Sequence, residues 1–289
     1  MIEIIKERLR RYDTSNATSE EHAVKEIMQE VALYALWQAD FFDIALFQGG
    51  TSLRILHRLP RFSEDLDFLL RDPDSEFRWA PYANAMTQTF ARFGLQLDIQ
   101  AKDKMDRPIR EAVLKDDAIA RQLDLSFTNG GRVKTMKIKL EIDTNPPAYS
   151  GEAASYLDFP ADHEVRHQDL PSNFALKIHA LLCRPYEKGR DWFDFSWYAG
   201  QGVSPNLEHL GAALYQAGRW AGTDEVEQID MSWLYGALTE KIGGTIWSDA
   251  VRDVERFLPP AEQKSLRLWG EDFFKSKLDK VRAIYSPRR

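Results

Sequence analysis

The stretch from position 44 to position 70 constrains the fold more than any other part of the chain. The apolar run Ile44-Ala45-Leu46-Phe47 leads to the pair Gly49-Gly50, and Ser52-Leu53-Arg54-Ile55-Leu56-His57 follows as a helix start. A second apolar run, Asp65-Leu66-Asp67-Phe68-Leu69-Leu70, indicates another strand. The sequence therefore predicts a strand, a tight turn, a helix and a second strand in this order.

Two carboxylates share one face of that second strand. Successive side chains on a strand point to opposite faces, so Asp65 and Asp67 lie on the same side. Mg²⁺ prefers oxygen ligands and commonly takes one or two carboxylates together with substrate phosphates and water. A lone Asp-x-Asp is more typical of a solvated strand face, so the metal prediction depends on what surrounds it.

The glycine pair upstream makes a metal site more plausible than a solvated strand face. Glycines let a backbone approach phosphates closely, and a helix start presents N–H groups to an anion. Gly49, Gly50, Thr51 and Ser52 are therefore candidate nucleotide-binding residues, and the Ser52 hydroxyl is a further donor. A Gly-Gly turn alone is common. Its place between a strand and a helix, followed by residues 53–64 and then the Asp-x-Asp strand, is much more specific.

Other residues are expected to complete such a site. A third carboxylate on a neighbouring strand would help to hold metal and accept a proton from an attacking hydroxyl. Glu141 and Asp143 both qualify, and we favour Glu141 because it lies within its strand. Arg54 and Arg61 are candidate cations for phosphates, although either could instead pair with a surface acid such as Glu64.

The remaining periodicity predicts an α+β protein. Helices are expected from Ser19 and from about Pro81 to Phe93, and strands over 95–99, 123–127 and 136–143, the last two as a hairpin around Asn129-Gly130-Gly131; residues 102–120 are ambiguous. Residues 146–171 indicate loops, and helices follow at 172–184, 192–198, 207–217, 232–241 and 248–257. We expect a mixed-sheet catalytic region over 1–150 and a mainly helical region over 151–289.

Composition restricts the setting of the chain. No run approaches the ~20 apolar residues of a membrane span, and no secretory signal is readable, so we expect a cytoplasmic protein without a membrane partner. The formal net charge of -7 disfavours a chain that coats nucleic acid. Residues 101–140 and residues 251–289 each carry ten Lys or Arg against six Asp or Glu (10 - 6 = +4), which leaves room for a local basic dock.

A rival metal motif occurs at His163-Glu164-Val165-Arg166-His167. On a helix this H-E-x-x-H pattern presents two zinc ligands and a general base. It lies between Pro160 and Pro171, which leaves little room for a long helix, and no third ligand follows. We interpret it as a chance occurrence.

Four segments resemble a known family. They are Phe47-Gln48-Gly49-Gly50-Thr51-Ser52-Leu53-Arg54, Leu59-Pro60-Arg61-Phe62-Ser63-Glu64-Asp65-Leu66-Asp67-Phe68, Lys177-Ile178-His179-Ala180-Leu181 and Arg190-Asp191-Trp192-Phe193-Asp194. Together they resemble the polymerase-beta-like nucleotidyltransferase superfamily and, within it, the AbiEii-type toxins. The resemblance implies a polymerase-beta-like core with a mixed sheet, followed by a helical C-terminal region.

The resemblance also implies a reaction. An NTP would bind with two Mg²⁺ held by Asp65, Asp67 and Glu141, with the glycine turn around the triphosphate. Lys177 would neutralise phosphate charge as pyrophosphate leaves. Asp191 and Asp194 either orient Lys177 or cap the helix that they begin.

The acceptor and the biological role come from the family alone. Relatives of this type add nucleotides to the 3′ end of tRNA, act as bacterial toxins in phage defence and are neutralised by a separate antitoxin protein. A protein hydroxyl or a small molecule such as an aminoglycoside is the alternative acceptor. A non-catalytic nucleotide- or partner-binding module is a third reading, but its expected sign, loss of the acidic cluster, is missing from this sequence.

Overall fold

The computed structural model describes residues 2–102, 107–116, 123 and 136–285. The chain forms two compact units, residues 1–146 with 153–167 and residues 147–152 with 168–289. Every helix in the described part of the chain is too short or too polar to cross a lipid bilayer.

The helices of the first unit flank its sheet. They are α1 (Ile2–Leu9), α2 (Ala17–Gln38), α3 (Gly49–His57) and α4 (Ala80–Arg92). The sequence placed the start of α2 at Ser19, but Asn16 is its N-cap, and the Ser19 N–H donates to Asn16 Oδ1 at 3.0 Å. Ser19 was the N-cap expected from the sequence, but an N-cap side chain accepts from the third helical residue, so Ser19 is the capped residue.

The described residues form one seven-stranded sheet of mixed direction. Its strands are β1 (Ala45–Gln48), β2 (Leu66–Leu70), β3 (Asp98–Lys102), β4 (Ile109–Asp116), β5 (Met136–Asp143), β6 (Glu152–Leu157) and β7 (His163–Gln168). Their order is β3-β4-β5-β2-β1-β7-β6. β2 is antiparallel to β1 and parallel to β5, and β4 is antiparallel to β3 and β5. The predicted mixed sheet and α+β class are confirmed.

The loop prediction for residues 146–171 was wrong, because β6 and β7 lie there. The inner positions of β7 are His163, Val165 and His167, all buried, so two of its three core-facing residues are polar and no apolar alternation marks the strand. β6 is mostly exposed along its length. A strand becomes visible in a sequence only when one of its faces is apolar.

Two other strand predictions also differ from the structure. The strand expected at 95–99 begins at Asp98, because Leu95 lies in the turn that closes α4 and donates its N–H to Phe90 O at 3.0 Å. β4 occupies part of the stretch that the sequence left ambiguous. The second arm of the expected hairpin is β5, whereas its turn and all but Leu123 of its first arm lie outside the described residues.

The apolar face of β2 fixes the orientation of its polar face. Leu66, Phe68 and Leu70 are buried, and the Phe68 ring lies 5.0 Å from Phe41 and 5.4 Å from Phe47 between ring centroids. A slip of one residue would turn this apolar set out of the core and the carboxylates into it. Burial of these side chains therefore determines where Asp67 points.

The second unit is largely helical in its described part. Its helices are α5 (Leu170–Cys183), α6 (Gly189–Gln201), α7 (Leu207–Gln216), α8 (Met231–Gly244), α9 (Trp247–Glu255), α10 (Pro260–Gln263) and α11 (Glu271–Tyr285). The five helices predicted between 172 and 257 are confirmed. Trp192 is fully buried, as expected of a core residue, and its ring centroid lies 5.0 Å from those of Trp247 and Phe274.

Candidate active site

The junction between β1 and α3 is made by Gly49. The sequence predicted a turn and then a helix start at Ser52, but α3 begins at Gly49, whose φ of 77° makes the turn within the helix start. A β-carbon at position 49 would lie 2.5 Å from Asp67 Oδ2. Glycine is therefore required twice here, by the left-handed backbone and by the close approach of the carboxylate.

The rest of the first turn of α3 is anchored by neighbouring side chains. Arg61 is buried, and its Nη1 donates to Phe62 O at 3.0 Å. Its guanidinium also packs against Gly50 so closely that a β-carbon on Gly50 would clash with Arg61 Nη2. Thr51 Oγ1 donates to Asp65 O, and Ser52 Oγ donates to Gly49 O at 2.9 Å. The Arg61 guanidinium thus lies at a helix N-terminus, where the backbone dipole also carries positive charge.

Acidic side chains from three strands form a row across one face of the sheet. Asp67 on β2 pairs in register with Glu141 on β5, and Glu141 pairs with Glu111 on β4. Gln48, the last residue of β1, pairs with Asp67 on its other side. Residues paired in register point to the same face of a sheet. We refer to Asp67, Glu141 and Glu111 as the acidic row.

Lys139 lies within the acidic row. Its Nζ is 2.7 Å from Glu141 Oε1 and 2.9 Å from Glu111 Oε1. Burial alone would lower the pKa of Lys139, but the hydrogen bonds and charges of these two glutamates raise that pKa above its usual value. The ammonium group therefore stays charged and partly neutralises the row.

Sequence reasoning missed Glu111, which the structure places opposite Glu141. Its strand was not recognised because charged residues bracket the short apolar run Ala112-Val113-Leu114. The only available signal was the position of Glu111 directly before this apolar run, where a charged residue can begin a strand.

Asp143, the alternative third carboxylate, lies two residues beyond Glu141 at the end of β5. It pairs with Leu69 and Ile109, outside the acidic row. Burial raises the pKa of Asp143, and the Asn145 N–H, 2.9 Å from Oδ1, partly opposes that rise. On register alone, Glu141 is the nearer partner of Asp67.

The described residues fit a hard cation only in part. Asp65 and Asp67 are half-buried carboxylates that flank Leu66, and such an oxygen pair suits Mg²⁺ together with substrate phosphates. Within the described ranges, no group of three or more His, Cys, Asp or Glu side chains is arranged to hold a metal ion. Glu141 is instead engaged by Lys139, so a complete three-carboxylate site requires that ion pair to change.

A buried ionic cluster surrounds Lys177 in the second unit. Lys177 Nζ lies 2.9 Å from Asp194 Oδ2 and 3.4 Å from Asp191 Oδ1, and Arg184 Nη1 lies 2.6 Å from Asp191 Oδ2. Asp194 is completely buried and Asp191 is 2 % exposed. Both aspartates therefore contact Lys177, and Asp194 is the closer. Burial lowers the pKa of the neighbouring Lys188, although Asp191 opposes this.

The remaining sequence candidates serve the fold. Arg54 Nε pairs with Glu26 Oε2 at 2.7 Å, and Arg54 Nη1 donates to Leu59 O and Pro60 O at 3.0 Å. The H-E-x-x-H segment is strand β7 and not a helix. His163 Nδ1 bonds Ala161 O at 2.8 Å, and His167 Nε2 lies 2.9 Å from Ser155 Oγ. Neither histidine is presented as a zinc ligand in this arrangement.

Comparison with known proteins identifies the family and supports the fold. The family described as nucleotidyl transferase AbiEii toxin, type IV toxin-antitoxin system, matches residues 31–279. JHP933 from Helicobacter pylori is similar in structure with a TM-score of 0.53 at 17% identity, covering 92% of this chain and 93% of its own. MenT4, a nucleotidyltransferase toxin from Mycobacterium tuberculosis, gives 0.51 at 16% identity, covering 97% and 99%. No sequence among the curated proteins matches this chain.

Replacing Gly49 by alanine tests the β1–α3 junction. We expect Gly49→Ala to lower the free energy of unfolding by about 2–4 kcal/mol, since it adds a clash with Asp67 to the cost of a left-handed backbone. Gly94→Ala is the matched control, because Gly94 has a φ of 80° and open space around a β-carbon; its cost should be about 1–2 kcal/mol. Urea unfolding of both variants measures the difference, and equal losses would contradict a close contact at Gly49.

Proposed function

This chain belongs to the AbiEii family of nucleotidyl transferase toxins of type IV toxin-antitoxin systems, and we propose that it transfers a nucleoside monophosphate from an NTP to the 3′ end of a tRNA. The transfer forms a bond between an acceptor hydroxyl oxygen and the α-phosphorus, and pyrophosphate leaves. The observation that carries this proposal is the contact of Asp67, first member of the acidic row, with the glycine start of α3.

The start of α3 is the proposed triphosphate site. The first N–H groups of an α-helix lack intrahelical acceptors and attract anions. At α3 the side chain of the N-cap residue Gln48 makes no capping hydrogen bond, and the missing β-carbons of Gly49 and Gly50 let Asp67 and Arg61 approach the backbone closely. The buried Arg61 guanidinium adds a fixed positive charge beside the same turn. Thr51 and Ser52 hold the turn through their hydroxyls.

Asp65 and Asp67 are the proposed ligands of Mg²⁺. Magnesium bound there would supply charge stabilisation to the phosphoryl oxygens and lower the pKa of the attacking hydroxyl. Asp67 is held against Gly49, and the Asp65 carbonyl accepts from Thr51, so both residues are fixed relative to the phosphate-binding turn. Glu141, next to Asp67 in the acidic row, is the proposed third carboxylate and proton acceptor.

Lys177 is the proposed cation for the nucleotide phosphates. Support comes from its ion pairs with Asp191 and Asp194, which restrict a long flexible side chain to one position. Most of its surroundings are buried and charged, a setting in which a fixed ammonium interacts strongly with an anion. Asp191 and Asp194 are then positioning residues that act through Lys177.

An RNA acceptor is supported by the family and by local charge. Residues 251–289 carry ten Lys or Arg against six Asp or Glu (10 - 6 = +4), although the whole chain is acidic. Within this segment, α11 has the bases Lys275, Lys277, Lys280 and Arg282 against the acids Glu271, Asp272 and Asp279. A locally basic segment can attract a phosphate backbone without requiring a basic protein. We place the reaction in the cytoplasm, where NTPs and tRNA occur together, and extend the proposal to growth arrest in phage defence that a separate antitoxin relieves.

Removing either aspartate tests the metal-binding proposal. Asp65→Ala and Asp67→Asn are expected to lower kcat/KM roughly a thousandfold, because the metal contributes several kcal/mol and each ~1.4 kcal/mol is a factor of ten. Asp72→Asn, in the exposed loop after β2, is the matched control and should retain activity. Pyrophosphate release measures turnover, and circular dichroism checks folding. Undiminished turnover in a folded Asp67→Asn protein would refute the assignment.

Replacing Lys177 tests its role at the phosphates. We expect Lys177→Arg, which keeps the charge between the two aspartates, to fold normally and to raise KM for the NTP. Lys177→Met should lose more kcat/KM and also stability, because it leaves buried carboxylates unpaired. Lys241→Met, which breaks another ion pair of the second unit, is the control. If Lys177→Arg and Lys241→Met had the same KM as the wild type, Lys177 would be only a structural residue.

The acceptor is identified by following the label. The protein is incubated with each α-³²P-labelled NTP, Mg²⁺ and a bacterial extract, and the label is located in RNA, protein or small molecules. We expect label at tRNA 3′ ends, declining as salt rises because phosphate contacts release counterions. The Asp67→Asn protein gives the background. Label only in protein or in an aminoglycoside-like small molecule would replace the tRNA proposal, and binding of NTP without any transfer would indicate a non-catalytic module.

A further inference from the structure

A cavity of about 420 Å³ lies at the end of the sheet beyond Asp143. Its walls include Ser75 in the loop after β2, Arg107, Pro108 and Arg110 at the start of β4, and Thr144 and Asn145 after β5. All of them belong to the first unit. None of these residues has a part in the proposed nucleotidyl transfer.

Arg110 is the unusual member of this wall. It is 1% exposed, and its Nη2 donates to Ser75 O at 3.1 Å. Its Nε and Nη1 are also buried, and they have no hydrogen-bond partner among the described residues. An arginine cannot give up its charge in a protein, and unpaired buried donors are unfavourable. The Arg110 guanidinium thus keeps a positive charge behind the cavity wall with two donors that no described residue engages.

The walls of the cavity are fixed by backbone hydrogen bonds. Thr144 donates to Pro108 O from both its N–H, at 3.0 Å, and its hydroxyl, at 2.7 Å. Asp74 N–H donates to Thr144 O at 2.9 Å, which attaches the loop before Ser75 to the same strand end. Three separate segments are thus joined around the cavity, so a ligand would meet a preformed surface.

We propose that this cavity binds a phosphoryl group carried by a small molecule. The buried Arg110 guanidinium supplies a positive charge in the wall, and the exposed Arg107 supplies a second one. Guanidinium groups match the geometry of phosphate oxygens, and the volume is in the range of small-molecule sites and larger than a single ion needs. The nearby acids do not line the cavity, and Asp74 Oδ1 accepts the Glu76 N–H instead.

The proposed phosphoryl site is distinct from the acidic row. Arg110 and Glu111 are consecutive on β4, so they point to opposite faces of the sheet. Arg110 pairs in register with Ile142, on the apolar face, whereas Glu111 pairs with Glu141. A ligand held by Arg110 therefore binds without contact with Asp67 or Glu141.

The test uses the full-length protein and two probes, inorganic phosphate and adenosine 5′-monophosphate. Binding is followed by the backbone amide signals of Ser75, Arg110 and Asn145 in ¹⁵N–¹H spectra, with sodium chloride at matched ionic strength as the blank. We expect saturable shifts at these three amides. Shifts with both probes, or with phosphate alone, would show that free phosphate is sufficient for binding. Shifts with adenosine 5′-monophosphate alone would show that the phosphoryl group must be part of a nucleotide.

Three substitutions then distinguish specific binding in the cavity from nonspecific attraction of phosphate to the positive charges of the protein. Arg107→Ala and Arg110→Lys are each expected to weaken binding about tenfold, the loss of one hydrogen bond to a charged group. Arg107 is exposed, so its replacement leaves folding intact even if Arg110→Lys is unstable. Arg78→Ala, an exposed arginine outside the cavity, should bind as the wild type does. No saturable shift with either probe, or equal affinity in Arg107→Ala and the wild type, would overturn the proposal.

Discussion

Asp67 occupies the space that a β-carbon on residue 49 would need, and much of the candidate site follows from this contact. Because residue 49 is glycine at a positive φ, α3 begins directly after β1 with its first residue against the Asp67 carboxylate of β2. The buried Phe68 holds the other face of β2 in the core, so the strand cannot turn Asp67 to the opposite face without exposing apolar surface. The backbone conformation of Gly49 and the packing of Phe68 thus together determine the position of the Asp67 side chain.

Charge of both signs is concentrated around this contact. Arg61 and the helix start supply positive charge, the acidic row supplies negative charge, and Lys139 lies between Glu141 and Glu111. Preorganised charges of this kind stabilise a developing charge without further rearrangement. Lys139 engages Glu141, and no three acids among the described residues are arranged to hold a metal ion. The ammonium group of Lys139 is thus a cation of the protein itself, and a metal ion that used Glu141 would have to displace it.

The sequence predicted the features that have a strong local signal. Alternation identified β2 and β5, and helical period identified five helices between residues 172 and 257. It failed where burial overrides pattern, since β7 buries His163 and His167 and β4 carries charges at both ends of a short apolar run. Glu111 was missed for that reason. Lys139 was missed because an ion pair across strands has no signature along the chain, and the contact of Gly49 with Asp67 needs the register of β1 on β2.

The location of a bound nucleotide tests the central claim most directly. A crystal of the full-length protein with a non-hydrolysable NTP analogue and Mn²⁺ would place the metal by its anomalous scattering. The account predicts a manganese peak within coordination distance of Asp65 and Asp67, with the triphosphate at the N–H groups of Gly49, Gly50 and Thr51. Manganese and triphosphate bound elsewhere, with the Asp67 carboxylate and the α3 start both unoccupied, would contradict it.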